Sequence, residues 1–533
     1  MTQAHIEEEN FEKRLDWPLW KKILRRMTAY RAKIVPLVLV SIGIAVGDTL
    51  LTLMIKLVID EVTLRQGERL VMLGGAFAVL TIFNAAGAWF FIRLAGSISI
   101  RMSCDIRGDA FERLQRQEFA FFDRRPVGWL MARLTSDCDR MARILAWGTL
   151  DVVLGTCKIA GIALFMMILH WKLGLLVLSV MPVVAWISLR FQKRILRTSR
   201  EMIRTNSRIT ASYAEGITGV RTTKSLVREE KNLGEFRKLS NDMFAVSRTN
   251  ALYTAAYLPL VLAVVSAGTG VALWMGGLDV MAGAITLGTL VAFIAGTGEI
   301  VWPIFEMARV FTQLQTVQAS AERIFGLIER EPAIVDAPGL LKPIDGCIDT
   351  VEFDDVSFAY DKNQPVLSNF NLKVRPGETI ALVGPTGGGK STIVSLLCRF
   401  YEPVQGRILI NGEDYRRRSL RWLYGSLGIV QQDPRLFSGS LRENIRYGKL
   451  EATDAEVGEA ARRVNADHFI QKLEEGYDTQ VGEGGVRLST GQRQLIALAR
   501  AMLADPGIMI LDEATASVDT RTEQIIQASI ERV

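Results

Sequence analysis

Gly384-Pro385-Thr386-Gly387-Gly388-Gly389-Lys390-Ser391-Thr392 is the stretch on which the reading of the chain turns. The apolar run before it, residues 379–383, reads as a buried strand, and residues 393–397 after it read as a helix. Strand, glycine-rich loop and helix with the spacing G-x-x-x-x-G-K-S mark a loop that cradles phosphates. Its glycines let backbone N–H groups close on phosphate oxygens, and the helix N-terminus adds partial positive charge. Lys390 is placed to reach the β and γ phosphates and the Ser391 hydroxyl to coordinate Mg²⁺. The pattern implies that the chain binds a nucleoside triphosphate.

Working outward, 533 residues exceed what one core holds, so more than one domain is expected. Hydrophobic residues make up 49% and charged residues 23%, which suggests a greasy part joined to a polar part. The formal charge of +6 is modest. Cys104, Cys138, Cys157, Cys347 and Cys398 have no metal-ligand spacing and read as isolated, reduced thiols. His5, His170 and His468 are too few for a histidine-rich metal centre.

Glu7, Glu8 and Glu9 stand where a signal peptide would carry basic residues. Residues 11–30 interleave Trp17 and Trp20 with Lys21, Lys22, Arg25 and Arg26, the pattern of an amphipathic helix at a membrane surface. Six apolar stretches follow, at 34–59, 70–94, 147–170, 173–189, 251–276 and 281–305, each near the roughly 20 residues that a crossing needs. The connections 60–69, 170–172 and 277–280 are short, whereas 97–146 and 190–250 are long, polar and helical in pattern. Arg190, Lys193, Arg194, Arg197, Arg200, Arg204 and Arg208 crowd the start of the second. The positive-inside rule therefore places both long connections and the N-terminus in the cytoplasm. Asp48 and Glu299 should face a bundle interior or an aqueous cavity, as partners of other groups or as substrate contacts. Lys56 and Arg93, near span ends, are expected to snorkel. Pro332, Pro338, Gly339 and Pro343 mark a linker.

Beyond it the composition is that of an α/β domain. Residues 351–353 and 356–358 read as early strands, with Tyr360 close behind; taken alone, that tyrosine reads best as a surface residue at a strand end. Residues 507–513 form an apolar strand ending in Asp512, suited to Mg²⁺, and Glu513, suited to orient an attacking water. Between lie Gln432 and the run Leu488-Ser489-Thr490-Gly491-Gln492, ahead of a helix expected over 494–504.

Together these segments resemble the ATP-binding cassette (ABC) exporters, in which a six-helix membrane domain precedes one nucleotide-binding domain. The resemblance covers essentially the whole chain. It implies a multidomain fold: an interfacial segment (1–33), an all-α transmembrane domain of six spans (34–325), a linker (326–347) and an α/β P-loop NTPase domain (348–533). Phe121-Phe122-Asp123, Gly128 and Arg133-Leu134 resemble the first intracellular loop, and Glu215-Gly216-Ile217, Lys224 and Arg228-Glu229-Glu230 the second. The resemblance makes Tyr360 the adenine-stacking aromatic, reversing its reading in isolation. It makes Gln432 the Q-loop contact to metal and water, 479–482 the X-loop, Ser489 to Gln492 the signature, Asp512 and Glu513 Walker B, and 517–519 the D-loop. ATP and Mg²⁺ are the implied cofactors. Thr490 stands where the family usually has glycine. The family's γ-phosphate histidine falls past Val533, which implies a C-terminally truncated sequence.

The implied partner is a second half-transporter, in a homodimer or heterodimer, with each ATP held between Lys390 and Ser391 of one subunit and the signature of the other. The implied activity is ATP-driven export or flipping of a lipid or amphipathic, drug-like substrate at a bacterial inner membrane, without nucleic acid. An ATP-gated channel or regulatory protein of the same architecture is the alternative; retention of Glu513 favours a cycling pump.

Overall fold

No water serves the backbone inside a bilayer, so a spanning segment must satisfy its own N–H and C=O groups, and a helix does so within itself. The computed structural model builds residues 17–328 almost wholly from helices. It describes residues 16–63, 69–337, 340, 348–361, 364–385, 387–485, 487–512 and 524. Residues 1–15, residues 338, 339 and 341–347 of the expected linker, Thr386, Glu513 and the 517–519 motif lie outside these.

The chain divides into two units, the first running to Gln115 and resuming over Val127–Arg330. Its helices are α1 (Trp17–Met27), α2 (Arg31–Thr63) and α3 (Leu70–Gln115); α4 (Phe119–Asp123) belongs to the second unit. There follow α5 (Val127–Ala132), α6 (Cys138–Arg143), α7 (Thr149–Leu169), α8 (Trp171–Thr218), α9 (Val220–Ser225), α10 (Glu229–Met281) and α11 (Leu287–Ile328). Two π-helical turns, Arg133–Asp137 and Ile144–Gly148, join α5, α6 and α7 into one rod. Among the described residues six helices are long and apolar enough to cross a membrane.

The amphipathic start is a helix whose apolar side is taken. Leu19, Ile23 and Met27 recur every four residues and are buried in a cluster with Val317, Ala321 and Ile324 of α11. Trp20 donates its indole N–H to Gln318, and Lys22 pairs with Glu329 at 2.7 Å. One expected connection moves. Residues 277–280 are still α10, and the turn falls at 282–286, where Gly283 takes φ +72° and the Thr286 hydroxyl accepts the Thr289 N–H. Asp60 of α2 closes that helix start by accepting from Gly288 N (2.9 Å) and the Thr286 hydroxyl (3.0 Å), a carboxylate at the positive end of α11.

The second unit comprises residues 116–126 and the chain from Glu331 onward. β1 (Val351–Asp361) and β2 (Gln364–Val374) form a four-stranded antiparallel sheet with β3 (Gln405–Ile410) and β4 (Glu413–Asp414), in the order β2-β1-β3-β4. The two short strands expected at 351–358 are one strand. Asp355, at φ +51°, bends it at an irregularity without ending it. α12 (Lys390–Leu397) precedes β3, and α13 (Leu420–Gly425) precedes β5 (Leu427–Val430). A helical region of α14 (Leu441–Arg446), α15 (Asp454–Arg463), α16 (Asp467–Ile470) and α17 (Thr490–Leu503) packs on its own core of Leu441, Val457, Ile470 and Ile496. The chain then forms β6 (Ile508–Leu511), parallel to β5.

Residues 379–383 depart from expectation. They carry no ladder among the described residues, and Val383 is 92% exposed. An apolar run becomes a buried strand only where a neighbouring edge takes its N–H and C=O groups. Here β6 is laddered to β5 alone among the described strands.

Candidate nucleotide-binding site

The phosphate loop hangs between β2 and α12. Gly388 N–H closes a turn on the Pro385 carbonyl (3.0 Å), and Gly387 and Gly389 both sit at φ +84°. That left-handed backbone suits glycine, and a Cβ on Gly389 would press on Leu367 of β2 at 2.9 Å. Gly389 is also the N-cap of α12, so no side chain caps the helix. α11, α13, α14, α15 and α17 each begin on a serine or threonine that accepts a first-turn N–H. The first-turn donors of α12 thus meet no capping oxygen from the N-cap and suit an anion. α12 is seated by Thr392, Ile393 and Leu396, which are buried.

Lys390 folds its ammonium back onto the loop, donating to the carbonyls of Gly384 (2.8 Å) and Pro385 (3.0 Å). To reach a phosphate it must exchange these two acceptors for anionic ones. Ser391, exposed, stands beside it in the first turn, where its hydroxyl could meet a metal ion. Tyr360 ends β1 within reach of the same helix, its hydroxyl 3.2 Å from the Thr392 hydroxyl. Phe358 and Tyr401 meet its ring edge to face, at 4.9 and 5.0 Å, and the residue stays 42% exposed, which leaves aromatic surface for a base.

The next residues come from the paired strands. Val430 and Leu511 are ladder partners, and Asp512 donates its backbone N–H to the Val430 carbonyl (2.9 Å). Gln432 and Asp512 therefore leave the carboxyl ends of adjacent parallel strands, where α/β sheets present ligand-binding residues. Ile393 and Leu396 of α12 share one buried cluster with Leu427 of β5 and Ile510 of β6. The loop and the strand pair thus grow from a single core.

Ser489, Thr490, Gly491 and Gln492 are occupied within their own helix turn. α17 begins at Thr490, four residues earlier than expected, because Ser489 and Gln492 close a capping box. The Ser489 hydroxyl accepts the Gln492 N–H (3.2 Å), and the Gln492 side chain accepts the Ser489 N–H (2.9 Å). Thr490 accepts from Arg493 at 3.4 Å, and Gly491 is buried. The Gln494 amide reaches the Gln432 carbonyl at 3.5 Å, linking α17 to the turn after β5.

Sequence reasoning named residues of two features without finding their partners. Within the second unit, α4 lies against the segment after α12. Phe119 stacks on Phe400 at 4.0 Å, Tyr401 donates to Asp123, and Arg124 donates to the Tyr360 carbonyl at 3.2 Å. Burial and the neighbouring Asp123 carboxylate push the Tyr401 phenol well above its ordinary range. The aromatic pair Phe400-Tyr401 was the available signal. The other feature lies in the first unit, where Lys158 of α7 bridges Asp48 of α2 (2.9 Å) and Glu299 of α11 (2.5 Å). The two acids expected to need partners share one, a lone lysine in an apolar run. Lys56 pairs with Asp60 at 2.8 Å, a specific bridge beyond mere snorkelling, and Arg93 lies over the Trp89 ring.

Residues 34–304 match the family described as ABC transporter transmembrane region, and residues 367–516 match ABC transporter. The chain belongs to the ABC transporters. As an ABC exporter half-transporter it couples ATP hydrolysis to transport and is an integral membrane protein. This ABC exporter is 34% identical over 98% of its length, and 87% of the relative's, to the uncharacterized ABC transporter ATP-binding protein YknV of Bacillus subtilis. It is 33% identical over 85% of its length, and 80% of the relative's, to an ATP-dependent lipid A-core flippase of Desulfotalea psychrophila. Among solved structures, a bacterial Atm1-family ABC exporter with ATP bound shares its fold, with a TM-score of 0.78 at 24% identity over 94% of this chain and 88% of that one.

Proposed function

We propose that this ABC exporter moves a lipid or amphipathic molecule across a bacterial inner membrane, working as a dimer with its cassettes in the cytoplasm. The observation that carries the reading is the α12 start without a capping side chain, growing from the same core as the strand ends that bear Gln432 and Asp512. In this reading ATP stacks its base on Tyr360 and sets its phosphates on the N–H groups of Gly387, Gly388, Gly389 and Lys390. Lys390 leaves the Gly384 and Pro385 carbonyls for the β and γ phosphates. Ser391, Gln432 and Asp512 hold Mg²⁺, and Glu513 orients the water. The partner's Ser489, Thr490, Gly491 and Gln492 complete the site, so that ATP joins two cassettes. Closure reaches the membrane helices through residues 116–126, which pack with the cassette.

Amphipathic cargo is supported by the likeness to lipid A-core flippases. The protein in lipid nanodiscs should hydrolyse MgATP, and Glu513→Gln should bind ATP while losing turnover by about a hundredfold or more. Unchanged turnover in Glu513→Gln would remove the assigned base.

A further inference from the structure

The acidic residues of the spanning stretches are segregated. Within these stretches Asp48 lies on α2, Asp151 on α7 and Glu299 on α11, with Asp60 and Glu306 one residue beyond theirs, whereas 70–94, 173–189 and 251–276 carry none. α2, α7 and α11 pack on one another, and small residues bring them close: Gly161 of α7 lies against Thr49 of α2, and Gly155 against Met307 and Pro303 of α11. Along this seam stand two ionic clusters. Lys158 bridges Asp48 and Glu299; seven residues away on both α7 and α11, Arg309 joins Asp151 (3.2 Å) and Glu306 (2.5 Å). Seven residues are two helical turns, roughly 10 Å. In the first, one ammonium is shared by two carboxyl groups.

A charge at mid-membrane costs about 2.5–3.5 kcal/mol even on insertion scales. A carboxylate at such depth is therefore stable only with a cation beside it. Glu299 has Lys158 at 2.5 Å and is the more open of the two acids, its side chain 51% exposed against 27% for Asp48 and 17% for Lys158. The chemistry beside it comes from a separate residue. Trp302, three residues on and hence on the neighbouring face of α11, is 67% exposed, with its ring stacked on Phe305 at 5.7 Å. An open indole one helical turn from a carboxylate that shares its cation with Asp48 matches an organic cation, which gains from both the charge and the π-face.

We propose that Asp48, Lys158, Glu299 and Trp302 form the binding site for the positive charge of a cationic amphiphile, with Lys158 as the built-in cation that the substrate displaces from Glu299. The proposal rests on the exporter reading and narrows its substrate class by charge, away from anionic lipids.

Tetraphenylphosphonium and tetraphenylborate share shape and apolar surface and differ in sign, so they isolate the charge. Binding to the protein in zwitterionic nanodiscs, with empty nanodiscs subtracted, should be saturable for the cation and absent for the anion. Glu299→Gln and Trp302→Ala should each weaken cation binding by roughly tenfold. Lys158→Gln should tighten it, because the internal competitor is gone. An unchanged thermal unfolding midpoint marks the Glu299→Gln protein as folded. Equal binding of tetraphenylborate, or undiminished cation binding by a folded Glu299→Gln protein, would overturn the proposal. Charge-selective binding that depends on Glu299, in a protein that hydrolyses no ATP, would uphold the site and sink the exporter reading instead.

Discussion

Ser489 caps its helix and is also proposed to serve the site. Its hydroxyl holds the first turn of α17 while also standing in the signature that would face a partner's ATP. Ser489→Ala should cost about 1 kcal/mol through loss of the cap. It should also lower turnover far more than the more remote Thr453→Ala, which breaks the same kind of box on α15. Thermal unfolding and ATPase rate measured side by side separate the two roles; equal turnover losses would make Ser489 a cap only. Cys398 makes a plainer case. It is fully buried, and desolvation alone pushes its thiol up to about 12, so almost no thiolate exists at neutral pH. Maleimide at pH 7.5 should leave Cys398 unmodified until denaturant is added, as peptide mapping would show. Rapid labelling of the native protein would contradict that burial.

Among the elements, α4 is the shortest with a consequence. Five residues, Phe119–Asp123, touch both Phe400 and Tyr401, and Tyr401 in turn touches Tyr360, the aromatic proposed to stack on adenine. A change at the base can therefore be felt at α4 through two side chains. Tyr401→Phe keeps the ring and removes a charge-assisted hydrogen bond worth about 1–2 kcal/mol. Basal ATPase should stay near that of the parent while its stimulation by transported substrate falls. Asp123→Asn should do the same, and the double variant should lose no more than either alone. Additive losses would mean that the pair does not act as a unit. The elements also show where local pattern misleads. Residues 379–383 have the composition of a strand, but the ladder that would make them one is absent among the described strands.

For the whole molecule, the proposed site takes its second half from the Ser489 to Gln492 run of another chain, at the capped start of α17. ATP hydrolysis should therefore rise cooperatively with ATP, with a Hill coefficient above one. Mixing in an excess of the Ser489→Ala, Lys390→Ala double variant should suppress the active chain. A Hill coefficient of one and no suppression would argue for sites that work alone. Much of this architecture is legible in the chain itself. The run from Gly384 to Thr392, the apolar stretches long enough to cross a bilayer and the order of motifs are local or periodic signals. Backbone sterics and bilayer thickness turn such signals into structure without reference to the rest of the molecule. What the tertiary structure alone decided are the meetings between distant residues. These are Lys158 between Asp48 and Glu299, Tyr401 between Tyr360 and Asp123, and Asp60 on the start of α11. None is written in a spacing, because each depends on which helix faces or strand edges pack together. That choice minimises the free energy of the whole chain, and no single stretch of it carries the answer.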